Sequence, residues 1–198
     1  MKGKPLFILS IVITLILFAF VTTFASADSA THGRWDIISL QPPNVLAGGV
    51  ASALADDGSM ITLTGNGTFV APAGGSGRSG AATGGGTWET QDKDGNVTGS
   101  GTYEVTGLVR WDQAPGTSPP VGDLIGDPAE RSAGLVVLSI EYSDGSQGTL
   151  GIGCHGPGAP NGIVEGVIAT KGYVTYWAAQ PPTTLDVDAN RTLFHLEK

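Results

Sequence analysis

A five-residue pattern (glycine, any residue, glycine, threonine, aromatic) occurs three times in this chain: Gly65-Asn66-Gly67-Thr68-Phe69, Gly84-Gly85-Gly86-Thr87-Trp88 and Gly99-Ser100-Gly101-Thr102-Tyr103. A shorter echo, Gly148-Thr149-Leu150, follows. In an extended strand, residues two apart share a face, so both glycines and the ring point one way and the threonine the other. Glycine leaves the backbone bare and lets a strand bend sharply. The bare surface also makes room for a ring from a neighbouring strand, and Phe69, Trp88 and Tyr103 are expected to lie over glycines in this way. The motif starts at positions 65, 84 and 99, a spacing too irregular for a solenoid and suited to successive antiparallel strands.

The pattern changes how the composition reads. Glycine makes up 31 of 198 residues, a fraction that elsewhere signals a linker. Here most glycines alternate with Thr, Val, Ile and aromatic residues, which is strand chemistry. The alternation predicts strands over 36–41, 59–71, 84–90, 98–112, 134–143, 147–155, 163–176 and 190–196. Asp56-Asp57-Gly58, Asp94-Gly95-Asn96 and Asp144-Gly145-Ser146 separate strands where hairpins want Asp-Gly. The 72–83 stretch reads as a flexible loop, and 113–133, with Pro115, Pro119, Pro120 and Pro128, as a longer excursion. Within it, Asp127-Pro128-Ala129-Glu130 has the cap, the first-turn proline and the acidic third residue of a short helical turn near 127–133. The segment 44–56 reads as a loop or a short helix. The expected fold is all-β: one antiparallel β-barrel of about eight strands, the smallest common closed barrel, with a flattened β-sandwich as the alternative.

The first 27 residues read as a secretory signal. Lys2 and Lys4 precede an apolar run from Leu6 to Phe24, and Ala25-Ser26-Ala27 has the small residues of a cleavage site. An uncleaved anchor is the alternative, because a run of about 20 apolar residues is enough to span a bilayer. The expected domain organisation is signal 1–27 and a single barrel domain 28–198, placed outside the cytoplasm. Without the two lysines, 8 basic residues face 18 acidic ones, a net charge of −10. That surface repels phosphate backbones and anionic membranes, which argues against a nucleic-acid or membrane partner. A single cysteine, Cys154, rules out an internal disulfide. Asn66, Asn96 and Asn190 each open an Asn-x-Thr acceptor site for N-glycosylation.

Alternation also sorts the faces. Val136, Leu138, Ile140 and Tyr142 share one side of their strand, as do Leu150, Ile152 and Cys154 of the next. Tyr103, Val105, Val109 and Trp111 are expected to face them. Trp88, Tyr103, Trp111 and Tyr142 then form an inward aromatic set, the candidate lining for a small apolar ligand. The polar set offers Glu104, Glu141, His155 and Glu165 as candidate catalytic groups, with Glu89 facing Glu104 as a further acid–base pairing. Cys154 and His155 are neighbours on a strand and point to opposite faces, so they do not form a thiol–imidazole pair. His155 and His195 lack the spacing of a zinc site. Asp186, Asp188, Asn190 and Glu197 have the ligand spacing of a calcium loop, but Arg191 stands where that loop needs glycine. No cofactor or metal motif is present.

Three functions fit these residues: a non-enzymatic barrel binding a small apolar molecule, a secreted structural or surface-interaction protein without a pocket, and a barrel isomerase or hydrolase using acidic residues. In architecture alone, the strand count and glycine-rich strands resemble small-ligand barrels of the lipocalin or the allene-oxide-cyclase and dirigent type. That resemblance implies a ligand inside the barrel and nothing about its identity.

Overall fold

The structure is a computed structural model and describes residues 30–72, 80–116, 121–180 and 190–197. The expected secretory segment, most of the expected 72–83 loop, and Asp186 and Asp188 lie outside the described residues. In chain order the strands are β1 (Thr31–Gln41), β2 (Asn44–Ala47), β3 (Ala51–Leu54), β4 (Met60–Leu63), β5 (Asn66–Ala71), β6 (Ala82–Gln91), β7 (Val97–Ala114), β8 (Gly122–Asp123), β9 (Arg131–Tyr142), β10 (Gln147–Cys154), β11 (Gly166–Lys171), β12 (Val174–Tyr176), β13 (Ala178–Ala179) and β14 (Arg191–Leu196). One 3₁₀ turn, Pro128–Glu130, precedes β9; the Asp127 carboxylate accepts from the Ala129 N–H and Pro128 fills the first position, as the sequence predicts.

The fold is an all-β barrel. Strands β1, β5, β6, β7, β9 and β14 pair in a closed antiparallel ring. The ring closes with six strands rather than eight because two long strands change partner along one edge. β6 pairs with β5 over Ala82–Gly85 and with β4 over Trp88–Gln91. β9 pairs with β14 at Arg131 and Ser132, then with β10 from Gly134 to Glu141. β4, β3 and β13 therefore extend from one flank, and β10, β11 and β12 from the other. β13 follows β12 directly after Trp177 and pairs with β3, so the two extensions meet.

Two expected strands are interrupted. The 59–71 run breaks at Thr64-Gly65 and the 163–176 run at Gly172-Tyr173. The 44–56 segment is neither loop nor helix. It forms β2 and β3, because Val45, Ala51 and Ala53 alternate into the core on a two-residue period. The three Asp-Gly turns form as expected, with Gly58, Gly95 and Gly145 at φ of 81°, 84° and 84°, the left-handed region that glycine enters freely.

The inner face is filled by rings lying on glycines. A Cβ on Gly33 would meet Phe69 at 2.3 Å, one on Gly134 would meet Trp111 at 2.5 Å, and one on Gly101 would come within 3.0 Å of Trp88. Inside the ring, Phe69 and Trp111 have centroids 4.8 Å apart, as do Trp111 and Phe194. Thr68, Thr87 and Thr102 of the repeated motif are exposed on the outer face, as alternation requires. One inward expectation fails. β7 carries two bulges, between Val105 and Gly107 and between Leu108 and Arg110, and each shifts the parity of its side chains. Leu108 is therefore fully buried and Val109 exposed, while Trp111 returns to the inner side.

Candidate functional site

Most of the barrel's outer face is bare. Thr64 and Thr87 hydroxyls bond at 2.7 Å, Thr68 and Thr83 at 2.8 Å, and Ser52 and Thr62 at 2.9 Å, forming a hydroxyl-lined surface over β3 to β6. The outer faces of β1 and β14 differ. Adjacent apolar residues there, Ile37-Ile38 and Leu193-Phe194, break the alternation, so both faces need cover. Ile37 and Phe194 point into the barrel and Ile38 and Leu193 point out.

The cover comes from the 121–131 segment, which β2 carries from its place beside β1. β2 turns back along β1 and carries the short parallel strand β8. Asp123 of β8 anchors the segment. Its side chain has no solvent exposure and accepts from Arg131 Nε, from His195 Nε2 at 3.0 Å, and from the N–H groups of Ile125 and Gly126 at 2.8 and 3.1 Å. Burial alone would raise this carboxyl, but the backbone donors, Arg131 and His195 outweigh it and hold the pKa down to about 2.

Beside this network lies a cavity of about 650 Å³. Its apolar wall is Ile38, Leu40, Val45, Val121, Leu193 and Cys154, with the exposed His155 and Pro157 at its rim. Arg131, Arg191, Thr192 and Glu165 supply the polar groups. The volume falls within the usual range for small-ligand sites. Glu165 ties the wall together: one carboxylate oxygen accepts from the His155 N–H at 2.7 Å and the other from the Thr192 N–H at 3.0 Å. Glu165 itself is half-buried and lines the cavity. Desolvation pushes its pKa up to about 7, against the pull of those two N–H groups, Arg191 and His155. The Thr192 hydroxyl donates to the Gly153 carbonyl at 2.6 Å, holding β14 to β10.

The candidates read from sequence separate into three places. Trp88, Tyr103 and Tyr142 are core residues with their polar atoms satisfied by backbone carbonyls, and Trp111 packs on Phe69 and Phe194. None of the four lines the large cavity. Glu104 and Glu141 stand directly opposite each other on the bare outer face. Glu89 faces Ser100 instead of Glu104. His155 and Glu165 meet at the cavity, eight residues along β10 from the register position of Glu141, roughly 26 Å away. The four acid–base candidates therefore do not share one site. Cys154 is buried in the cavity wall while its neighbour His155 is exposed at the rim, and burial pushes the thiol well above the usual range. Among the described residues no three His, Cys, Asp or Glu side chains gather to hold a metal, and no helix is long and apolar enough to cross a membrane.

Sequence reasoning missed Asp123, Arg131 and Thr192, and weighed Arg191 and His195 only against metal-site patterns. The legible signal was the pair of adjacent apolar residues on each of β1 and β14, which marks a two-faced strand without saying what covers it. No family model, no curated protein and no solved structure matches this chain.

Proposed function

We propose that this chain is an exported, non-enzymatic β-barrel protein that holds a small apolar molecule, and that it does so in the cavity between β1, β2 and β14 rather than inside the barrel. The observation that carries this reading is the contrast between a barrel centre occupied by rings in tilted and edge-on contact and a cavity of about 650 Å³ walled by aliphatic side chains outside it. An apolar surface of that size, concave and edged by a few polar groups, is the usual form of a small-molecule site. Leaving it filled with water forgoes about 25 cal/mol for each Å² of apolar surface that a ligand would cover. The half-buried Leu40 is the residue best placed to test it. N-phenyl-1-naphthylamine, a neutral apolar dye, should brighten on mixing with the protein. Leu40→Trp, which puts a bulky ring into the cavity and narrows it, should weaken dye binding at least about tenfold with the thermal midpoint unchanged. A Glu104→Gln control should bind as the parent does. No brightening, or full binding by Leu40→Trp, overturns the proposal.

A further inference from the structure

The geometry points to an amphipathic carboxylate as the ligand of this cavity, its apolar body against Ile38, Leu40 and Leu193, its head group received by the guanidiniums of Arg131 and Arg191, and its entry coupled to uptake of a proton by Glu165. The inference rests on reading the cavity as the binding site and adds the charge of the ligand and the control of its binding.

The guanidiniums set into an otherwise apolar wall carry the argument. The chain as a whole is acidic, at −8. The cavity wall carries two arginines and one glutamate, with His155 at the rim, and Asp123 behind the wall already pairs with Arg131. A planar guanidinium matches a carboxylate edge to edge, so an anionic head gains both charge and geometry there. Arg131 is fixed for this role. It donates to Asp123 and to the Val121 carbonyl, the latter at 3.0 Å, and its side chain is almost fully enclosed. Its position therefore needs no ordering when a ligand arrives.

Glu165 opposes such a ligand when ionised and tolerates it when neutral. The groups that face it are His155 and Cys154 at the end of β10 and Arg191 and Thr192 of β14, with Arg131 of β9 across the cavity. The His155 ring is engaged at Nδ1 with the Ile163 carbonyl at 2.8 Å, and the Cys154 thiol stays protonated. Glu165 is the carboxyl of this wall that burial has brought near neutrality. A second negative charge entering the same enclosed space raises it further. By linkage, binding of the anion then takes up a proton, and affinity rises as pH falls through the neutral range.

Three ten-carbon probes, decanoate, decan-1-ol and decylamine, separate the two claims by calorimetry on the whole chain. The expected order is decanoate tightest and decylamine weakest. Decanoate should bind about tenfold more tightly at pH 6.5 than at pH 8. The alcohol should show no such change. Glu165→Gln should bind decanoate equally at both pH values, and Arg191→Gln should weaken decanoate while leaving decan-1-ol unchanged. Titrations of the unaltered protein in two buffers of different ionisation enthalpy should register proton uptake directly, which does not depend on any variant folding. Tightest binding of decylamine, or decanoate binding without pH dependence or proton uptake, overturns the inference while decan-1-ol binding leaves the cavity reading standing. Failure of all three probes overturns both.

Discussion

The outer surface of this barrel is built in two ways. Over β4 to β7 and β9 it is a bare sheet of threonines, serines and glutamates, and its side chains can be exchanged with water at little cost. Over β1 and β14 it is covered by the 121–131 segment, and beneath and beside that cover lie a buried carboxylate, a buried arginine, a buried histidine and a cavity. The inner faces of the two regions are alike, with rings on glycines in both. The difference shows that the interior supplies the fold, whereas the second layer supplies a place for another molecule. A cover of irregular backbone has to be anchored, and Asp123 does so with four donors. A charged anchor is stable under cover only while its partners remain in place.

Removing the anchor should separate the regions most strongly. Asp123→Ala leaves Arg131 buried without its carboxylate and frees two backbone N–H groups, a loss expected to cost about 3–5 kcal/mol in urea unfolding. If it costs no more than a surface change does, the cover is not an integral layer. The same carboxyl sets the acid limit. Its folded pKa, about 2, lies below its ordinary value near 3.8, so its contribution is complete above pH 4 and is lost as pH falls towards 2.

Glu165 should act with the opposite sign. Its folded pKa, about 7, lies above the ordinary 4.5, so the folded state holds a proton that the unfolded chain has released. Stability should fall by roughly 2–3 kcal/mol as pH rises from 4.5 to 7, and Glu165→Gln should remove that slope. Unfolding curves at several pH values measure it. The glycine–ring contacts come next. Gly33→Ala puts a methyl group into the Phe69 ring and should cost about 1–3 kcal/mol, whereas Gly162→Ala, with open space around it, should be close to neutral. Last, Glu104→Gln on the bare face should change stability by less than about 0.5 kcal/mol, with a slight gain from relieving the charge opposite Glu141. A large loss there would mean that the bare face, too, carries structure.

The inner face was the legible part. A two-residue period fixes which side chains share a side, so the rings of Phe69, Trp88 and Tyr103 and their outward threonines follow from the repeated motif alone. Strand order was not legible. Partner switching in β6 and β9 depends on where long strands bend, and nothing local in Gly85-Gly86 or Ala133 says which neighbour comes next. The bulges of β7 reversed Val109 for the same reason: one extra residue flips a face, and alternation carries no record of it. The cavity is assembled from β1, β2, β9, β10 and β14 and from loops between them. Its charged residues are far apart in the sequence, so only the chain's folding brings Arg131, Glu165 and Arg191 to one wall.

Hydrogen exchange with and without decanoate tests most directly whether the covered side is the working side. The account predicts slowed exchange in residues 38–47, 121–131, 154–157 and 191–193, with no change over 98–106 and 139–143. Protection confined to the bare face, or spread evenly over the barrel strands, would contradict it.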